Sequence, residues 1–372
     1  MNWGGRVISV KIYRDTDPDV ELDRLIQEES KEDVCVAVDA GYHTGLRKVN
    51  RTVKALLRLS KPHWRLVLKL ECNRCRDVPT SVWKLVDLIE LRLDHNHLET
   101  ISPAIAKLVK LKKLCIGYNP LEEFPETVCQ LKQLEELGAN DCRLSVLPSS
   151  FASLRDLLKL HLDNNLFGQV PDVVCELKNL RTLRLDNNQL NSLPRSFANL
   201  RWLKDLGLSR NCFKEFPRVV CELLKLEMLS IGGNQLSELP MTITKLVDLQ
   251  YLNLARNSFT HFPLFLGEFS RISYFFSHGW FNHSACFHFA HTIYAGNPTS
   301  NGLHDYDLFR FLQGHKESVR LSAIITGGFC AANDTNPWTK FLVRGLYDPR
   351  LFLFIFDFAF EESDRKRGRF EE

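Results

Sequence analysis

Cys72 and Cys75 form a Cys-x-x-Cys pair, and His278, His283, Cys286, His288 and His291 place soft and borderline ligands close together along the chain. Both groups have the residue types of a zinc site. The cysteine pair, however, lacks the second pair or the suitably spaced histidines that a tetrahedral site needs. The histidine-rich stretch has no regular zinc-finger spacing and is crowded with aromatic residues, so it reads as a structural or disordered loop. No metal ligand and no cofactor are assigned. A phosphate-cradling Gly-rich loop, an HExxH pair and a nucleophile elbow are all missing from the sequence, which is therefore read as non-catalytic.

The other residues able to do chemistry stand in columns with a spacing of 23 or a multiple of it. One column holds Lys69, Arg92, His161 and Arg184; the next holds Glu71, Asp94, Asp163 and Asp186; a third holds His95, Tyr118 and Asp141. Such columns are ladders and not a converging pocket, so the chemistry they suit is recognition of a partner. Neighbouring columns of opposite sign partly neutralise each other. Further along, Asp205, Arg210, Met228, Tyr251, Asn253 and Arg256 flank the small residues Gly207, Ser209, Ser230, Gly232 and Gly233. Small residues would let a partner's backbone or helix approach closely, and Tyr and Arg are common interface hot spots. The expected footprint of a partner runs from Tyr118 to Tyr251.

The element that positions these columns is a repeat of 23 residues, seen in nine copies between Arg65 and Arg271. Apolar residues at positions 1, 4 and 6 place alternate strand side chains inward, and positions 3, 5, 7 and 8 project from the other face. Position 9 is Asn in eight copies and Cys142 in the remaining one. An Asn there can satisfy backbone groups left unpaired where the chain turns. Pro fills position 15 in eight copies, with Pro103 one place later in the copy that differs. No copy could bury its leucines alone, so the array folds through its neighbours. A second period lies over the first. Phe alternates between position 18 (Phe151, Phe197) and position 11 (Phe167, Phe213), with Val174 and Val220 opposite the latter, which keeps core volume per layer nearly constant.

The pattern LxxLxLxxNxLxxLPxxIxxLxxL resembles the intracellular leucine-rich repeats of the Ras-scaffold and Scribble/Erbin type and of their plant Ras-group relatives, over residues 65–271. The resemblance implies an α/β solenoid, a leucine-rich-repeat horseshoe with a concave parallel sheet. It also implies a scaffold in signalling or polarity, with a protein partner such as a small GTPase or signalling enzyme. No kinase, PDZ or nucleotide-binding module accompanies the repeats.

Around them, residues 1–64 read as an N-terminal β-α cap, with strands near Val7–Ile12 and Val34–Val38 and helices near Val20–Glu28 and Lys48–Leu59; a separate small α/β domain is the rival. Residues 272–298 read as a tenth repeat interrupted by about 17 extra residues near Phe275–His291, because Asn297 falls 40 residues after Asn257. A mis-spliced or divergent product is another account of that interruption. Residues 299–361 read as a helical C-terminal cap that covers the open sheet edge, and residues 362–372 as a charged tail whose run Arg365–Arg369 could alternatively act as a nuclear-import signal.

The balance of 48 basic against 45 acidic residues, a net charge of +3, gives no field that would favour nucleic acid. The start of the chain shows no secretory signal, and the apolar run Leu351–Phe360 is about half of a membrane span. The expectation is a cytoplasmic monomer whose 11 cysteines are reduced thiols, and whose glycosylation-like triplets at Asn50, Asn282 and Asn333 carry no weight. Two functions fit: an interaction scaffold that binds on the concave face, or a ubiquitin-ligase substrate adaptor that docks through the C-terminal helices around Tyr347–Arg350.

Overall fold

The computed structural model describes residues 6–12, 17, 34–40, 46–59, 65–259, 271 and 274–276. The expected helix near Val20–Glu28, the His-rich stretch and everything after Phe276, including the expected C-terminal cap and charged tail, lie outside the described residues.

Four longer strands open the chain: β1 (Arg6–Lys11), β2 (Val34–Asp39), β3 (Arg65–Lys69) and β4 (Leu88–Arg92). Three-residue strands then recur: β5 (Lys113–Cys115), β6 (Glu136–Gly138), β7 (Lys159–His161), β8 (Thr182–Arg184), β9 (Asp205–Gly207), β10 (Met228–Ser230), β11 (Tyr251–Asn253) and β12 (Tyr274–Phe276). All pair in parallel, in chain order, as one 12-stranded sheet. A helix, α1 (Leu46–Leu59), connects β2 to β3. The register advances one repeat per strand, as in Leu114 opposite Leu137 and Leu137 opposite Leu160. Tyr274 and Phe275 keep that register opposite Tyr251 and Leu252. The sheet therefore claims Phe275 and Phe276, where the extra residues of the tenth repeat were expected to begin.

Each strand is short because the repeat leaves it quickly. Position-15 prolines such as Pro148, Pro194 and Pro240 sit directly ahead of the short 3-10 turns Ser149–Ser153, Arg195–Asn199 and Met241–Lys245. Proline already holds φ near −65° and has no N–H to lose, so it starts these turns at little cost. Where the proline is displaced to Pro103, the Ser102 hydroxyl takes over and accepts the Ala104 N–H at 3.3 Å.

Between sheet and turns lies one continuous core. Leu114, Leu137, Leu160, Leu183 and Leu206 are fully buried, and so are the alternating Phe151, Phe167, Phe197 and Phe213 together with Val174 and Val220. The asparagines are buried too, and their amides close the turn. Asn188 donates to the carbonyls of Leu162, Leu185 and Asp186 at 3.0, 3.1 and 3.3 Å while its Oδ1 accepts the Phe167 N–H at 3.1 Å. Cys142 keeps half of this role: its thiol donates to the carbonyls of Ile116 and Asn140 at 3.3 and 3.4 Å. It has no second heteroatom to accept, so the Leu121 N–H turns instead to the Asn119 carbonyl at 2.8 Å. Cys75, Cys129, Cys175 and Cys221 are buried in or beside this core. Among the described residues no group of His, Cys, Asp and Glu is arranged to hold a metal, Cys72 and Cys75 included. No described helix is long and apolar enough to cross a membrane.

Candidate functional site

The concave face is built by strand positions 3 and 5 and by the exit positions 7 and 8. Position 8 is left-handed in all nine repeats: Cys72, His95, Tyr118, Asp141, Asn164, Asn187, Arg210, Gly233 and Arg256 have φ between 53° and 68°. Gly, Asn and Asp take this conformation readily, whereas a side chain that crowds the following carbonyl costs roughly 1 kcal/mol. His95, Tyr118, Arg210 and Arg256 therefore stand on a locally strained backbone, and all four are exposed.

In repeats 2–6, β4 to β8, most of the expected partner-binding residues are tied to neighbours within the sheet. His95 and Tyr118 stack with ring centroids 3.9 Å apart at 12°. Arg92 donates to Glu90 at 2.6 Å and reaches Glu71 at 3.5 Å. Glu136 is clamped by Lys113 at 2.5 Å and Lys159 at 3.6 Å. Burial opposes its charge, but these two cations and His161 hold the Glu136 carboxyl below its usual range. His161 is itself pushed down, chiefly by burial, helped by Arg184, Lys113 and Lys159 and resisted by Glu136.

The position-7 carboxylates run up the ladder by accepting the backbone N–H one strand on. Asp94 takes that of Gly117 at 3.0 Å, Asp163 that of Asp186 at 3.2 Å, and Asp186 that of Ser209 at 2.7 Å. One column outward, Asp141 accepts the Asn164 amide at 2.8 Å, and Asn164 accepts that of Asn187 at 2.6 Å. Burial, with Glu71 adding to it, raises Asp94 to about 6. Burial and the neighbouring Asp186 carboxyl raise Asp163 to about 7. The two carboxyls belong to adjacent strands, and the like charge of Asp186 disfavours ionisation of Asp163.

Arg184 closes the network. It meets Asp205 at 2.7 Å and Asp186 at 4.0 Å. Asp205 is buried, and its Oδ1 has no hydrogen-bond partner among the described residues. Burial raises its pKa against the pull of Arg184. Asp205 therefore serves as the inner anchor of Arg184, and its carboxylate is withdrawn from the exposed surface.

Repeats 7–9, β9 to β11, are different. Ser209 and Ser230 share a hydrogen bond at 2.7 Å, and Asn253 donates to Ser230 at 3.2 Å and accepts the Ala255 N–H at 3.0 Å. The glycines do not simply open this floor. A β-carbon on Gly207 would fall 2.0 Å from Asp186 Oδ2, and one on Gly232 would fall 2.9 Å from Asn253 Oδ1. Those gaps already hold side chains of neighbouring strands, which is the space a partner's backbone was expected to use. Gly233 lies along the stem of Arg210, whose Cγ is 3.2 Å from where its β-carbon would be. Met228 and Tyr251 stand one strand apart at position 3, the former exposed and the latter half-buried.

Two surface features lie outside these columns. Arg47, Asn50, Arg51, Lys54, Thr80, Ser81 and Lys84 line an open hollow of about 490 Å³ beside α1. Basic residues spaced three and four apart on a helix were the signal available for it. Trp202, Leu224 and Val247 form an exposed apolar row where successive repeats enter their strands, with relative exposures of 59%, 52% and 64%; the 22- and 23-residue steps between them were the corresponding signal.

Comparison with known proteins adds a family. A leucine-rich-repeat model matches residues 155–213 and 178–236. The structure is similar to that of a leucine-rich-repeat protein of Leptospira interrogans, with a TM-score of 0.54, 26% identity and 66% of each chain covered, slightly under two thirds of that protein's length. It is also similar to an internalin of Listeria monocytogenes, with a TM-score of 0.53, 18% identity, and 72% of this chain and 83% of that one covered. No curated protein matches the chain in sequence.

Proposed function

Taking as premise that this chain is a leucine-rich-repeat protein with the horseshoe fold, we propose that it is a non-catalytic scaffold that binds a protein partner on its concave face. One observation carries the reading: polar and aromatic side chains of consecutive strands, from Arg92 on β4 to Asn253 on β11, face one surface as columns without converging on a pocket. At a strand spacing of about 4.8 Å that surface spans roughly 34 Å, the scale of a protein interface and not of a small-molecule site. The finer reading, from the repeat pattern, is a role in small-GTPase or polarity signalling in the cytoplasm. A monomer leaves the concave face open for it.

Affinity purification with mass spectrometry tests this, using the full chain, a chain carrying Arg210→Ala, Tyr251→Ala and Arg256→Ala together, and a chain cut after Pro298. A partner kept by the truncation and lost by the triple variant supports the scaffold. Ligase subunits that survive the triple variant and vanish on truncation would instead establish the adaptor reading based on Tyr347–Arg350.

A further inference from the structure

Arg210 and Arg256 differ from the cations that repeats 2–6 place on the concave face. Arg92, Lys113, Lys159 and Arg184 each have a carboxylate within 4.0 Å. Arg210 and Arg256 have none among the described residues, and both are exposed. They occupy the same position two strands apart, which places their backbones roughly 10 Å apart. The residue between them is Gly233, and the Arg210 stem lies along it. The floor beside them, Ser209, Ser230 and Asn253, is neutral and satisfied within itself. Both arginines also stand at left-handed φ, 54° and 53°, where repeats 5 and 6 use Asn164 and Asn187. Folding is better served by Asn at this position, so the two guanidiniums stand there against the local conformational preference.

We infer that Arg210 and Arg256 form a two-point clamp for an acidic stretch of the partner polypeptide, holding two carboxylates about 10 Å apart along the position-8 column. The inference rests on the concave-face reading and gives that partner its chemistry. Carboxylates are favoured over an apolar partner segment because the strip offers two unneutralised cations and little exposed apolar surface. A basic partner is disfavoured by the same two charges. In repeats 2–6 a carboxylate would first have to displace Glu90, Glu136 or Asp205 from its cation; here it displaces only water.

The test uses the full chain and two fluorescein-labelled peptides, (Glu-Gly-Ser)5 and (Gln-Gly-Ser)5, followed by anisotropy at low ionic strength. The Glu peptide is expected to bind about tenfold tighter than the Gln peptide, with the margin shrinking as salt is added. Arg210→Asn and Arg256→Asn should each weaken the Glu peptide about threefold, as for exposed ion pairs. Both variants should keep or raise the urea midpoint, because Asn suits the left-handed site. The control is Arg47→Gln with Lys54→Gln, in the basic hollow beside α1, which should leave peptide binding unchanged. Equal binding of the two peptides would overturn the inference, as would binding lost in the α1 variant and kept in Arg210→Asn and Arg256→Asn. If a natural partner is lost by the triple concave variant but the Glu peptide shows no preference, the clamp fails while the concave-face function stands.

Discussion

Repeats 2–6 and repeats 7–9 share one backbone and one core, and they use charge in opposite ways. In the first region each cation of the strands lies against a carboxylate, so its electrostatics are largely spent on the fold, as with Arg92 on Glu90 and Arg184 on Asp205. In the second, the floor at positions 5 and 7 is short and neutral and the arginines at its rim are left to solvent. A uniform repeat can thus carry a self-satisfied stretch and a receptive stretch side by side, because sheet and turn are maintained by positions 1, 4, 6, 9 and 15 while positions 3, 5, 7 and 8 are left to vary.

The largest expected contrast is between arginines. Arg184→Ala leaves Asp205 buried without its cation and should cost about 2–3 kcal/mol, whereas Arg210→Ala should leave the urea midpoint nearly unchanged. Similar losses at both sites would break the distinction between the two regions. The core should show no such contrast. Phe167→Leu and Phe213→Leu, one in each region, should cost about 1–2 kcal/mol apiece, and adding Val174→Phe should restore part of the first loss; a strictly additive double mutant would sink the volume exchange.

Next comes pH. The Asp163 carboxyl stands at about 7 when folded against 3.8 as reference, so the folded chain binds the proton more tightly than the unfolded one. Its stabilising contribution is complete below about 4 and is lost as pH rises through about 7. Asp163→Asn, which keeps an acceptor for the Asp186 N–H, should gain about 1 kcal/mol over wild type at pH 8 and less at pH 5, read from denaturation midpoints at both pH values. A gap that does not depend on pH would remove the account of Asp163 as a carboxyl held neutral by burial and by Asp186. The smallest effect separates two glycines. Gly207→Ala drives a β-carbon into Asp186 and should cost about 1 kcal/mol, while Gly138→Ala, whose nearest neighbour would be 3.8 Å away, should lie within about 0.5 kcal/mol of wild type or above it.

Much of this was legible in the residue order. The 23-residue period put Leu114, Leu137 and Leu160 on one inward column and Arg92 and His161 on one outward column, and the structure shows both. The buried role of the asparagines followed from their place at the turn. Less legible was the left-handed exit at position 8, since His95, Tyr118 and Arg210 are not residues that announce it. The pairing across strands was also missed, although Arg92 with Glu71 and Arg184 with Asp205 are 21 residues apart, which is one repeat less two positions. A search for opposite charges at that separation would have marked Asp205 as an internal anchor and left Arg210 and Arg256 unpaired.

Residue order alone determined the strand positions, the inward leucines, the asparagine turns and the alternation of phenylalanines, because each depends only on period and side-chain size. Which concave charges are neutralised and which remain available was decided by the tertiary structure. That outcome depends on the diagonal reach of a long side chain to the next strand, and on glycines whose missing β-carbon is what lets a neighbour lie across them.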